Sequence, residues 1–344
     1  MAKKIYFFVL VLGFAKPFFQ PSIAQQRPQY SQYMMNNYVL NPAISGIEDY
    51  ADIKTGYRNQ WTGFGGEPTT YYVSGHWALN KPDLTSRGPT PVRGQKPNIK
   101  LTNRFERVPA HSGLGALFVA DNAGAISRTS LNFSFAKHIP LQNTMKISLG
   151  IGLGVVQNSL DFDKIKLANP NDPLAQSGKL NGYQPELNLG LWLYDRDFYV
   201  GASANQIVFQ NFGFGDALPD GKPYGWIGTQ ETHYFLTAGI RREINEDWAF
   251  TPSIMLKYVQ ASPLSFDTNA KVYYRDRLWL GASYRYQDAF VGLVGFNVNS
   301  MFNVGYSYDF VFSNINLAAR ASHEVVIGIM LNNKQRVICP VNQW

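Results

Sequence analysis

Along most of this chain apolar residues alternate with small or polar ones at a period of two, in runs broken by turn residues. In the run 144–157, Ile147, Leu149, Ile151, Leu153 and Val155 share one face, and Ser148, Gly150, Gly152 and Gly154 share the other. In 184–194, Leu187, Leu189, Leu191 and Leu193 oppose Asn188, Gly190 and Trp192. In 301–310, Phe302, Val304, Tyr306 and Tyr308 alternate with Asn303, Gly305, Ser307 and Asp309. Such runs predict about fourteen antiparallel strands, each close to the length that a tilted spanning strand needs. They cover 52–58, 69–79, 111–120, 128–138, 144–157, 184–194, 198–205, 231–242, 248–259, 265–275, 278–286, 289–297, 301–310 and 323–331. A soluble sandwich would expose Lys, Glu and Thr on its outer face, whereas here the second face is glycine and serine. The pattern fits an all-β transmembrane barrel, with lipid outside and a crowded or wet lumen inside.

The stretch before the first strand has a different period. Tyr30, Met34 and Tyr38 recur at helical spacing and Ser31 can cap a turn, so a short helix is expected, ending near Leu40 before Asn41-Pro42. Further upstream, Lys3 and Lys4 precede an apolar run over 5–14, and Ser22-Ile23-Ala24 offers a small-residue cleavage site. The run is too short for a spanning helix, which needs about twenty residues. The expected organisation is a signal peptide over 1–24, a periplasmic or plug segment over 25–50, the barrel over 51–332 and a tail over 333–344. Pro340 interrupts that tail, so it is not expected to pair as a strand.

Composition narrows the function more than the fold. The chain has 31 Lys and Arg against 24 Asp and Glu; without Lys3, Lys4 and Lys16 the balance is 28 against 24, or +4. These charges are scattered, with no basic stripe for nucleic acid. The one cysteine, Cys339, has no internal partner. The five histidines show no metal spacing, and neither a Gly-x-Ser-x-Gly elbow nor a phosphate loop is present. Gly150-x-Gly152-x-Gly154 lies inside a strand, where it is no nucleotide fingerprint. No enzyme activity, cofactor or metal is expected.

Tyr71, Tyr72, Trp77, Trp192, Tyr194, Trp248, Tyr258, Tyr273, Tyr274, Trp279, Tyr284 and Tyr286 lie near strand ends and suit two interfacial girdles. With a periplasmic N-terminus, the outward connections would be 59–68, 121–127, 158–183, 206–230, 260–264, 287–288 and 311–322. The inward ones would be short, apart from the Pro-, Gly- and Arg-rich 80–110, a candidate contact for a periplasmic partner.

One stretch carries a family resemblance. Gln-Tyr-Ser-Gln-Tyr-Met at 29–34, Leu-Asn-Pro-Ala at 40–43 and Gly46 are followed by Tyr57-Arg58-Asn59-Gln60-Trp61-x-Gly63 and Pro68-Thr69-Thr70-Tyr71. Together they resemble the PorP/SprF family, outer-membrane proteins of the type IX secretion and gliding systems of Bacteroidota. Ile44 and Asn36-Asn37 depart from that pattern. The resemblance implies a non-enzymatic outer-membrane component that supports secretion or surface anchoring through protein contacts. The implied partners are periplasmic or lipoprotein components of the system, a secreted adhesin or a cargo C-terminal domain, within outer-membrane lipid. It marks Gln32, Tyr33, Asn41, Pro42, Gly46, Tyr57, Arg58, Gln60, Trp61, Pro68 and Thr69 as partner-binding or structural positions. The alternative is an outer-membrane pore or transporter for a small or hydrophobic solute, for which glycine-lined inner faces would leave space.

Overall fold

A computed structural model of the chain describes residues 28–63, 66–81, 110–142, 144–165, 178–207, 211–212, 228–229, 231–260, 262–313 and 321–333. The expected signal peptide, most of 80–110 and nearly all of the expected tail lie outside these residues. The strands are β1 (Ala51–Asn59), β2 (Thr69–Leu79), β3 (His111–Ala123), β4 (Ile126–Gln142), β5 (Met145–Asp161), β6 (Lys179–Tyr194) and β7 (Phe198–Asn205). They continue with the two-residue β8 (Asn211–Phe212) and β9 (Gly228–Thr229), then β10 (His233–Ile240), the short β11 (Arg242–Glu243) and β12 (Trp248–Val259). The last are β13 (Ser265–Tyr274), β14 (Leu278–Arg285), β15 (Ala289–Asn297), β16 (Phe302–Val311) and β17 (Ser322–Leu331).

Fourteen of these strands close a barrel. Each neighbouring pair is antiparallel, β10 bridges β7 and β12, and β1 pairs with both β2 and β17. Closure leaves no unpaired edge in the bilayer, which is the condition for a sheet to stand in hydrocarbon. β8 pairs only with β9, in a separate two-stranded sheet. Ala51 stands opposite Leu331, so the barrel begins and ends at one rim, the near rim. The other is the far rim. On near-rim turns such as 195–197 and 275–277 the strands reverse within three residues, whereas the far rim carries the connections 60–68, 162–178, 206–232 and 312–321.

The two faces sort as the alternation dictates. Leu131, Phe133 and Phe135 on β4, with Leu149, Ile151, Leu153 and Val155 on β5, point outward and stay exposed, as a lipid-facing belt requires. Asn132, Ser134, His138, Ser148 and Asn158 point into the barrel and are buried.

Several expectations are corrected. Tyr72, Trp192, Tyr194, Tyr273 and Trp279 point inward and are buried, so they do not belong to an interfacial girdle. Glycines on adjacent strands explain three of the inward rings: Tyr72 packs over Gly56, Trp192 over Gly201 and Trp279 over Gly295, where a Cβ would strike the ring. Strands β4, β5 and β6 run further than their alternation suggested. The expected connection 121–127 shrinks to the turn Gly124-Ala125, because pairing continues to Ala123↔Ile126. β6 starts at Lys179 and carries Pro185 opposite Val155 without ending.

The expected helix over 30–40 is absent. Residues 31–35 form turns, followed by 3-10 turns at Asn37–Val39 and Pro42–Ile44. Met35 N–H bonds Gln32 O at 2.8 Å and Asn36 N–H bonds Tyr33 O at 3.0 Å, both three residues back. Ser31 does not cap a helix; its hydroxyl donates to Asp309. Tyr30, Tyr33, Met34, Tyr38, Val39 and Leu40 are all buried, which no single helical stripe would achieve. The reason is their position. Residues 29–46 bond to inward-facing side chains of strands spread around the sheet, from β1 to β17.

Candidate functional site

The lumenal segment runs lengthwise, and its partners mark its course. Gln29 and Ser31 meet Arg58, Arg285, Asp309 and Glu324, which sit where their strands approach the far rim. Ser45 and Gly46 meet His76, His111 and His138, which sit toward the near rim. Lys81 then holds the exit at that rim, donating to Ile47 O at 2.6 Å and pairing with Asp49 at 2.5 Å. The segment therefore enters at the far rim and leaves at the near rim, directly before β1.

At the far end the grip is ionic. Arg58 Nη2 lies 2.8 Å from Asp309 Oδ2, and Arg58 Nη1 lies 3.3 Å from Glu324 Oε2. Arg285 approaches Asp267 and Asp309, each at 3.5 Å. Ser31 sits among them: its hydroxyl donates to Asp309 at 2.7 Å and accepts from Arg58 at 2.9 Å. Glu324 Oε2 accepts the backbone N–H of Ser31 at 2.7 Å and of Gln32 at 3.4 Å. Buried charges are tolerated only when paired, and Arg58, Asp309 and Glu324 each have an opposite charge beside them, with the segment supplying further hydrogen bonds.

Between the two ends the wall bonds the segment's main chain. Lys271 donates to Met34 O at 3.2 Å, and Ser203 and Asn205 donate to Leu40 O at 2.7 and 2.9 Å. Ser148 donates to Ala43 O at 2.7 Å. In return Asn41 Nδ2 reaches Leu191 O and Ala202 O at 3.0 and 3.1 Å, while its Oδ1 accepts Ala43 N–H and shapes the Pro42 turn. With no α-helix or sheet of its own, the segment relies on the wall to satisfy its backbone groups.

At the near end three histidines enclose one turn. A carbonyl only accepts, so His138 and His111 each donate from Nε2, to Ser45 O at 2.8 Å and Gly46 O at 3.1 Å. His76 Nδ1 accepts from Gly46 N–H at 3.3 Å. The His111 and His138 rings stack at 4.3 Å with 2° between their planes, and His138 Nδ1 bonds Tyr194 at 2.9 Å. Gly46 has φ +74°, and a Cβ there would stand 2.5 Å from Gly113 Cα and 2.9 Å from Trp77 O. Gly113, Gly150 and Gly190 would in turn collide with Ser45, Ala43 and Asn41 if they carried side chains. These three glycines make room for the segment, as Gly56, Gly201 and Gly295 do for wall rings. A cavity of about 60 Å³ remains beside it, bordered by Asn36, Glu48, Lys271 and Trp279, space for a few waters.

The positions singled out in the sequence divide three ways. Gln32, Tyr33, Asn41, Pro42, Gly46 and Arg58 are buried in the lumen. Tyr57 faces outward, its ring 4.6 Å from that of Tyr71. Gln60, Trp61 and Pro68 build the first far-rim connection and Thr69 opens β2; Gln60 N–H bonds Pro68 O at 2.8 Å and Trp61 N–H bonds Ser322 Oγ at 3.1 Å. Glu67 fastens the same loop by accepting Gly63 N–H at 2.6 Å, which holds its carboxyl below the usual range. Sequence reasoning missed Glu324, Asp309, Arg285 and the three histidines. A signal existed for Asp309 and Glu324: a charge on the inward face of a spanning strand requires a partner.

Among the described residues there is no group of three or more His, Cys, Asp or Glu that could hold a metal ion. Solved structures that the chain resembles are outer-membrane barrels. One is the toluene transporter TbuX of Ralstonia pickettii, with 9% identity, TM-score 0.47, and 87% of this chain and 93% of that one covered. Another is a FadL homologue of Pseudomonas aeruginosa, with 10% identity, TM-score 0.45, and 88% and 94% covered. Among curated proteins none matches. A family model described as type IX secretion system membrane protein PorP/SprF matches residues 22–329. This chain belongs to the PorP/SprF family of type IX secretion system membrane proteins.

Proposed function

We propose that this outer-membrane barrel is a closed scaffold of the type IX secretion machinery. On this reading it supports export or surface anchoring of partner proteins, and in a gliding cell that of an adhesin, through protein contacts. The division into a cleaved leader over 1–24, a plug over 25–50, a barrel over 51–332 and a tail over 333–344 is part of this reading. The observation that carries it is the lumenal segment, bonded to wall residues from the far-rim node of Arg58 and Asp309 to the near-rim histidines. A barrel occupied along its length is poorly suited to pass a solute and well suited to hold a fixed surface in the membrane. The family is one of type IX secretion system membrane proteins, which supports a secretion role.

The partners on this reading are periplasmic or lipoprotein components at the near rim, and an adhesin or a cargo C-terminal domain at the far rim. Apart from 80–110 at the near rim, the longer connections are at the far rim, one of them ordered by Glu67 and tied to Ala321 and Ser322. Deleting the gene should remove a defined set of proteins from the cell surface while other outer-membrane proteins stay at normal levels. An unchanged surface proteome would contradict the proposal.

A further inference from the structure

We infer that the lumen is a binding site for a peptide entering at the far rim, and that residues 28–50 are its resident occupant. The inference rests on the plug reading and extends it. The wall treats the segment as a ligand. Glu324, Lys271, Ser203, Ser148, His138 and His111 bond its backbone amides and carbonyls, which every peptide carries. What makes the recognition selective is confined to the two ends. The Arg58–Asp309–Glu324 node takes a hydroxyl together with two successive N–H groups. The His76–His111–His138 turn takes a residue with positive φ and no Cβ, because Gly113 stands against it. Ser31 and Gly46 are 46 − 31 = 15 positions apart, so the fitting ligand is a peptide with a hydroxyl residue about that far ahead of a glycine.

The resident does not exhaust the site. Glu324 Oε1, Asp309 Oδ1, Ser307 Oγ and Asn303 Oδ1 are buried and have no protein partner, and neither has Gln32 Oε1 on the segment. Buried polar atoms in a settled core are nearly all paired. A wall with spare acceptors facing a ligand that is mostly main chain can exchange that ligand for another of the same chemistry. The resident is tethered, and a tethered ligand acts at an effective concentration of the order of millimolar. A competing peptide in solution is therefore excluded until the resident is loosened.

The test uses the full chain in lipid vesicles, with a fluorescent synthetic peptide of residues 27–50 as the probe. Gly46→Trp cannot seat its side chain against Gly113 and Trp77 and leaves the wall intact; Gly46→Ala is the milder second variant. Retention of heat-modifiable gel mobility shows that the barrel is folded. Saturable binding to the variants at least tenfold tighter than to the unaltered chain supports the inference, provided a probe with Ser31→Ala and Gly46→Val binds at least tenfold more weakly. Folded variants that do not bind the probe, or that bind a reversed-sequence probe equally well, overturn it. Either result is independent of the surface proteome, so this inference can fail while the secretion role stands.

Discussion

Arg58 on β1 and Asp309 on β16 form a 2.8 Å ion pair inside the barrel, and each side chain is 1% exposed. β17 lies between their strands, and the pair closes over its Glu324. The Ser31 hydroxyl completes it from the lumenal segment. Removing one partner of such a buried pair leaves an uncompensated charge, which costs about 3–5 kcal/mol. Arg58→Ala should lower stability by that order in a urea titration of the vesicle-reconstituted protein. Ser31→Ala removes only a neutral hydroxyl and should cost about 1 kcal/mol. Equal effects of the two would show that the node is solvated.

Gly46→Ala should be far more damaging than its size suggests. The added carbon meets Gly113 Cα and Trp77 O, and φ +74° is strained for alanine. Gly292→Ala is the matched control, since a Cβ there meets nothing within 4 Å. In planar bilayers the unaltered protein and Gly292→Ala should be electrically silent. Gly46→Ala should show intermittent conductance as its segment loosens.

The course of the segment predicts a topology. An epitope inserted ahead of Pro28 should be reached from the side that carries the 162–178 connection, and one in the 195–197 turn from the opposite side. Antibody binding to intact and to lysed cells separates the two. Both epitopes on one side would mean that the segment does not thread the barrel.

Much of the barrel was legible because a strand facing lipid must alternate. Leu149, Ile151 and Leu153 announce their face without reference to any other strand. Strand number, closure and common-end termini followed from that period alone. Strand ends were less legible. Pro185 and the polar 126–130 look like breaks, yet their backbones remain paired because neighbours on both sides supply the ladder. The inward face was legible only in part. Trp192 and Tyr273 read as girdle residues because a period of two does not say which face holds lipid once both faces carry aromatics. The 30–40 stretch read as helical because Tyr30, Met34 and Tyr38 recur at a helix's spacing. The same three residues are equally buried in an irregular chain that is enclosed all round. What binds Ser31 or Gly46 comes from strands up to 293 positions away, and no local pattern reports it.

The account depends on residues 28–50 lying within the barrel. Ser45 Oγ and Ser134 Oγ are 2.7 Å apart, one on the segment and the other on β4. With Ser45→Cys and Ser134→Cys placed in a Cys339→Ser background, mild oxidation of the folded protein should form one intramolecular disulfide in nearly every molecule, seen as a mobility change that reductant reverses. Free thiols that persist at both positions in folded, oxidised protein would contradict the account.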